Sequence, residues 1–180
     1  MFTPSSSVEG RGWGLALSLM DPIDPALPPC DADVTSTYFI DAGEPTVVAA
    51  KEVTSGLDSD KERSIALFEA VRDGFRYDPY GLASDPAEYR ASAILAGSQS
   101  WCIPKSILLT AAARSVGIPA RLGFADVQNH LQSARLEAAM GTSLFAWHGY
   151  SVLYVDGRWL KVSSAFNRSM RPVRYQGADL

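Results

Sequence analysis

The chain has 180 residues, 47% of them hydrophobic and 20% charged, with a net charge of −4 at pH 7. That is enough length and apolar content for one domain with a real core, and the acidic balance with no basic stripe argues against a nucleic-acid partner. No apolar run reaches the roughly 20 residues of a membrane-spanning helix, and two cysteines, Cys30 and Cys102, make neither a disulfide framework nor a zinc site, so both thiols read as free in a reducing, cytoplasmic setting.

Residues 1–34 are rich in Pro, Ser, Gly and Asp, and Pro22, Pro25, Pro28 and Pro29 exclude a helix there. Residues 1–44 therefore read as an extended arm, with one strand near Trp13–Met20, packed on a single domain spanning 45–180. The Trp13–Met20 stretch is too short for a signal peptide and lacks a small-residue cleavage site. Ser36 to Ile40 has the composition of a strand. Pro45 opens a helix over Thr46–Ser55 that Gly56 closes. Ser59-Asp60-Lys61-Glu62 is a capping box, and Ile65, Leu67, Phe68, Val71 and Phe75 recur at helical spacing behind it. Asp78-Pro79-Tyr80-Gly81 is a turn, and Tyr89–Ala96 a short helix ended by Gly97.

The next segment, Trp101-Cys102-Ile103-Pro104-Lys105-Ser106, runs into an apolar stretch from Ile107 to Val116 and stops at Gly117. Pro104 suits a first helical turn and Gly117 a C-terminal stop, which puts Cys102 at a helix N-terminus. Unpaired N–H groups and the helix dipole there favour thiolate over thiol. A cysteine beside an apolar helix is more often a small buried hydrophobe. What singles this one out is its place at the helix start and a histidine further on.

Ala120–Ala125 alternates like a strand, and His130–Met140 reads as helical or irregular. Phe145–Val155 and Arg158–Ala165 form a hairpin around Asp156-Gly157, a strong two-residue turn signal. Helices precede strands, so the class is α+β, with helices packed on a small antiparallel sheet. With Asp156 and Gly157 as the loop, Tyr150 faces Ser163 and His148 faces Ala165. His148 and Ser163 then project from one side of the sheet, the side expected to meet the Cys102 helix. Antiparallel pairing of Ala120–Ala125 with Phe145–Val155 brings Asp126 near His148. Cysteine, histidine and a third polar group form the constellation of thiol acyl-transfer enzymes. His130 lies in a polar loop, where a solvated or capping role is the expectation.

Several of these pieces together resemble the transglutaminase-like superfamily. They are Arg76-Tyr77-Asp78-Pro79 after a helix, the Cys-led helix, Gly117-Ile118-Pro119-Ala120-Arg121, and His148 eleven residues before Trp159 with Asp156-Gly157 between. The resemblance covers roughly Thr46–Asn167. It implies a papain/transglutaminase-like core with no cofactor and no metal, Cys102 as nucleophile and His148 as general base. The family's orienting aspartate, four residues after the tryptophan, is Ser163 here. Serine carries no charge to stabilise an imidazolium, which leaves three candidates for the third member: Asp126, expected first on charge, then Ser163 or Asn167. Oxyanion donors would be the Cys102 amide with the Trp101 indole or, less favoured, Gln99.

The expected function is cysteine-dependent acyl transfer at an amide bond through a thioester, on a peptide or protein substrate. Bacterial relatives point to hydrolysis ahead of transamidation. The alternative is a transglutaminase-like module that binds peptides without cutting them, because of Ser163. The chain ends soon after the hairpin, so a partner or a homodimer is an expected way to complete the cleft.

Overall fold

The computed structural model describes residues 2–4, 27–129, 134–142 and 144–170. The strand expected near Trp13–Met20, and His130, lie outside them. Five α-helices are described: α1 (Glu44–Val53), α2 (Asp60–Gly74), α3 (Ala91–Leu95), α4 (Cys102–Ser115) and α5 (Ala134–Met140). Strands β1 (Phe2–Pro4), β4 (Ala120–Asn129), β5 (Leu144–Val155) and β6 (Arg158–Val162) form one antiparallel sheet in the order β1-β4-β5-β6. A separate parallel pair, β2 (Arg76–Tyr77) with β3 (Gln99–Ser100), leads the chain into α4. This is the expected α+β arrangement of helices on a small sheet. Among the described residues no helix is long and apolar enough to cross a membrane.

The local signals work as chemistry predicts. Ser59 Oγ accepts from the Glu62 amide and the Glu62 carboxylate accepts from the Ser59 amide, so α2 starts at Asp60. Asp156 and Gly157 take positive φ, 51° and 79°, in the tight turn between β5 and β6. Ser36–Ile40, in contrast, is not a strand. The Ser36 and Thr37 hydroxyls bond the backbone of Ile40, and Thr37 N–H reaches the Ile40 carbonyl, so local turn bonding wins over extension. The arm also carries a short 3-10 turn, Asp31–Asp33, that composition did not indicate.

Helix α4 is the centre of the core. Leu109, Ala111 and Ala113 are fully enclosed, and Ile107, Leu108 and Ala112 nearly so. They pack with Leu67 and Val71 of α2, Ala50 of α1, Ile94 of α3, and Leu153 and Val155 of β5. Each large aliphatic side chain buried this way contributes roughly 1.5–3 kcal/mol. Between α4 and β5 runs a buried polar seam. Thr110 donates to Ser151 Oγ, Ser151 donates to the Ser106 carbonyl, and Ser106 Oγ donates to the Cys102 carbonyl. Directional bonds inside an apolar interface fix how far the helix slides along the strand.

Two expectations about the sheet are corrected. Helix α4 packs on the row of β5 that contains Gly149, Ser151, Leu153 and Val155, not on the row of His148 and Tyr150. The opposite face carries Arg121, which stacks on the Trp159 ring at 4.1 Å and grips both oxygens of Asp33 in the arm. Trp159 donates its indole N–H to the Leu27 carbonyl. The resemblance-bearing arginine and tryptophan thus anchor the arm. The second correction concerns β6, which ends at Val162, with Ser151↔Val162 as its last pair. Ser163 and Ala165 leave the ladder instead of continuing it; the Ala165 carbonyl accepts from Lys105 and Ala165 packs with Cys102 and Phe166.

Candidate active site

Cys102 is the first residue of α4, with Trp101 as its N-cap, as the helix signals require. The strand carrying His148 comes in against that helix end. A Cβ placed on Gly149 would sit 2.9 Å from Ile103 Cα and 3.2 Å from Ile103 N. Only glycine permits this approach. Since β6 has already peeled away, the Gly149 amide is turned to the Cys102 sulfur. The sulfur therefore lies beside the Gly149 amide, one residue along β5 from His148. Phe166 is a neighbour of both groups: Cys102 packs in a cluster with Ala165 and Phe166, and the His148 ring stacks on Phe166 at 6.3 Å with a 16° tilt.

Both groups are enclosed, at 6% exposure each. Burial pushes the Cys102 thiol up from its ordinary value, against the pull of the Gly149, Ile103 and Cys102 amides. Burial also pushes His148 down to about 4. The expectation that the helix N-terminus would leave a thiolate is thus outweighed by desolvation. Both shifts favour the uncharged forms, thiol and neutral imidazole.

The other candidates fall in different places. Ser163 Oγ lies 3.2 Å from His148 Nε2. Asp126 follows Ala125, the partner of His148, and faces the β5 bulge at Ala146–Trp147, where the register shifts before Val127. Its carboxylate accepts from the Trp147 amide at 3.0 Å. Asn167 is a staple. Its Oδ1 accepts from the Tyr77 amide, and its Nδ2 donates to the carbonyls of Arg72 and Phe75. Trp101 stands edge-on to Tyr89 with a buried indole N–H that has no partner among the described residues. Gln99 is exposed and its side-chain oxygen accepts from Arg76 at 2.5 Å. Among the described residues no cluster of three His, Cys, Asp or Glu stands ready for a metal.

Sequence reasoning passed over Lys105. Its ammonium is fully enclosed and donates to the carbonyls of Arg72, Phe75 and Ala165. It ties the end of α2 and the Ala165–Phe166 wall to the helix that carries Cys102. The available signal was one cation set among the apolar residues of the helix, three positions after the cysteine.

Two predictions follow from this geometry. Gly149→Ala is expected to destabilise the protein by about 1–3 kcal/mol, because backbone rather than a flexible side chain meets the new methyl. Denaturant unfolding checks it. His148 makes stability depend on acid. Below about pH 6.5 the unfolded chain binds a proton that the folded chain refuses until about 4, so stability falls across that window and the loss is complete near its lower end. Two and a half pKa units correspond to about 3 kcal/mol as an upper figure. Chemical denaturation at pH 7 and pH 4.5 should show this loss, and His148→Gln should flatten it.

Comparisons with known proteins bear on the family and the fold. The family model described as "Transglutaminase-like superfamily" matches residues 48–164. No curated protein sequence matches. Among solved structures, a protein from Cytophaga hutchinsonii named as a candidate cysteine protease superposes with a TM-score of 0.59 at 14% identity, over 74% of this chain and 40% of that one. The periplasmic domain of TgpA from Pseudomonas aeruginosa superposes with a TM-score of 0.52 at 16% identity, over 73% of this chain and 45% of that one. The same domain bound to ethylmercury gives 0.51 at 18% identity. This chain thus spans less than half the length of these neighbours, and the likeness is one of fold. The matched segment runs from within α1, through the Cys102 helix and the His148 strand, to the residue after Ser163, and the chain belongs to the transglutaminase-like superfamily.

Proposed function

We propose that this chain is a thiol acyl-transfer enzyme acting on amide bonds of peptides or proteins, with Cys102 as nucleophile and His148 as general base. The observation that carries the reading is the approach of β5 at Gly149 to the start of α4, which sets the Cys102 sulfur under the amide next to His148. With Nε2 against Ser163, the Nδ1 edge serves the thiol. For Nδ1 to accept a proton the neutral ring carries its hydrogen on Nε2, so Ser163 Oγ accepts that bond and holds the tautomer.

The reaction then runs by general-base catalysis rather than from a preformed ion pair. His148 takes the thiol proton as sulfur attacks the carbonyl carbon. The oxyanion is met by N–H groups at the α4 N-terminus and by the Trp101 indole. Collapse expels the amine, which takes its proton from His148, and leaves a thioester on Cys102. Water then hydrolyses the thioester, with His148 again as base. Hydrolysis is favoured over amine capture, in line with the neighbour named for cysteine-protease activity. A neutral serine stabilises the transient imidazolium less than a carboxylate would. Ser163 is therefore also the observation behind a second reading, a module that binds a peptide without cleaving it. The two free cysteines, Cys30 exposed and Cys102 buried, support a reducing, cytoplasmic location, whereas the Pseudomonas neighbour is a periplasmic domain.

The test is turnover of 4-nitrophenyl acetate with and without a primary amine. Continuous nitrophenol release with acetate as product supports the hydrolase. Transfer of acetyl to the amine makes the protein a transamidase. No turnover above buffer leaves the binding module.

A further inference from the structure

Resting on the reading of Cys102 and His148 above, we propose that Asp126 is the positioning residue that seats His148, by holding the backbone of Trp147 in the left-handed conformation, and that it acts as a hydrogen-bond acceptor rather than as a charge.

Trp147 has φ of 58°, a region a bulky L-residue rarely enters. Burial does not force it there, because Trp147 is 62% exposed and its ring lies edge-on to the exposed Phe124 at 6.4 Å. What holds it is the bond from its amide to Asp126 Oδ1 at 3.0 Å. Asp126 can reach that amide because it is the single β4 residue opposite the bulged pair Ala146–Trp147 of β5, between the Ala125↔His148 and Val127↔Phe145 pairs. Strand β5 changes character at this point. Ala146 and Trp147 are exposed in succession, then His148 and Gly149 are buried in succession. The turn of backbone at Trp147 re-aims the strand so that Gly149 closes on Ile103 and His148 comes to the sheet edge beside Phe166. Backbone strain of this kind gathers at functional sites and persists only where a neighbour fixes it. Asp126 is itself exposed, so water screens its charge, while its oxygen serves as acceptor whether or not it is ionised.

Asparagine keeps the side-chain oxygen and loses the charge; alanine loses both. The rate of Cys102 acetylation by 4-nitrophenyl acetate, read by intact mass and peptide mapping, should fall about tenfold or more in Asp126→Ala, since small misplacements of a catalytic pair are costly. Asp126→Asn should recover all but about twofold of that loss. Trp147→Gly in the Asp126→Ala background should restore most of the rate, because glycine adopts this φ unaided. A wild-type rate in Asp126→Ala, or an equal loss in Asp126→Asn, would overturn the proposal; the latter would make Asp126 an electrostatic partner. If wild-type protein is not acetylated at all, the acyl-transfer reading fails separately. The placement of His148 is then read from its imidazole NMR signals, assigned with His148→Gln. These should shift in Asp126→Ala and hold in Asp126→Asn, and the reverse result rejects the proposal.

Discussion

Lys105→Ala is expected to destabilise the protein by about 3–5 kcal/mol, the cost of removing one partner from a buried, charged hydrogen-bond network. In a chain of this size that lowers the melting temperature by roughly 10 °C or more. The ammonium is fully enclosed and satisfies three carbonyls, at Arg72, Phe75 and Ala165, at 2.8–2.9 Å. Arg72 and Phe75 also receive Asn167, so the two side chains close one knot at the end of α2. Burial pushes the Lys105 amine down to about 8, since taking its charge out of water is costly. Without it the Ala165 carbonyl loses the donor that pins the wall behind Cys102 and His148. Lys105→Met keeps the stem but not the donors, and should be nearly as damaging. Thermal unfolding of both variants checks this, and a methionine variant as stable as the parent would show the three carbonyls find water instead.

The other large effect is on chemistry. Cys102→Ala should reduce ester turnover to the buffer background, since the proposed mechanism runs through the Cys102 sulfur. His148→Ala should lower the acylation rate by about 10²–10⁴-fold, the usual worth of a positioned general base. Near neutral pH the buried thiol stays protonated, so without the imidazole little sulfur is reactive. Stopped-flow acylation of the two variants at pH 7 measures both effects. A His148→Ala rate within a few-fold of the parent would remove histidine from the mechanism. Because Cys102 is enclosed rather than exposed, Cys102→Ala also removes some packing, and Cys102→Ser is the closer control for fold.

Local chemistry explains what could be read from the sequence. The start of α4 at Cys102, the capping box of α2, the Asp156-Gly157 turn and the pairing that sets Asp126 next to His148's partner Ala125 are all encoded within a few residues of where they act. What escaped depends on residues far apart in the chain. Beyond the end of β6 at Val162, the Ala165 carbonyl is held by Lys105, sixty positions earlier. The face that α4 covers is chosen by Gly149 and the Ser106–Thr110–Ser151 seam, and alternation along β5 alone does not choose between faces. How the arm is held escaped the sequence because its anchors, Arg121 and Trp159, lie on the sheet. The thiolate expectation considered the helix dipole but not the enclosure that Phe166 and Gly149 provide.

Brief exposure of the protein to 4-nitrophenyl acetate, quenched in acid and read by intact mass and peptide mapping, tests the account most directly. One acetyl group on Cys102, released by hydroxylamine as a thioester is and absent in His148→Ala, is the predicted result. Acetylation confined to Cys30, or equal at Cys102 with and without the imidazole, would contradict it.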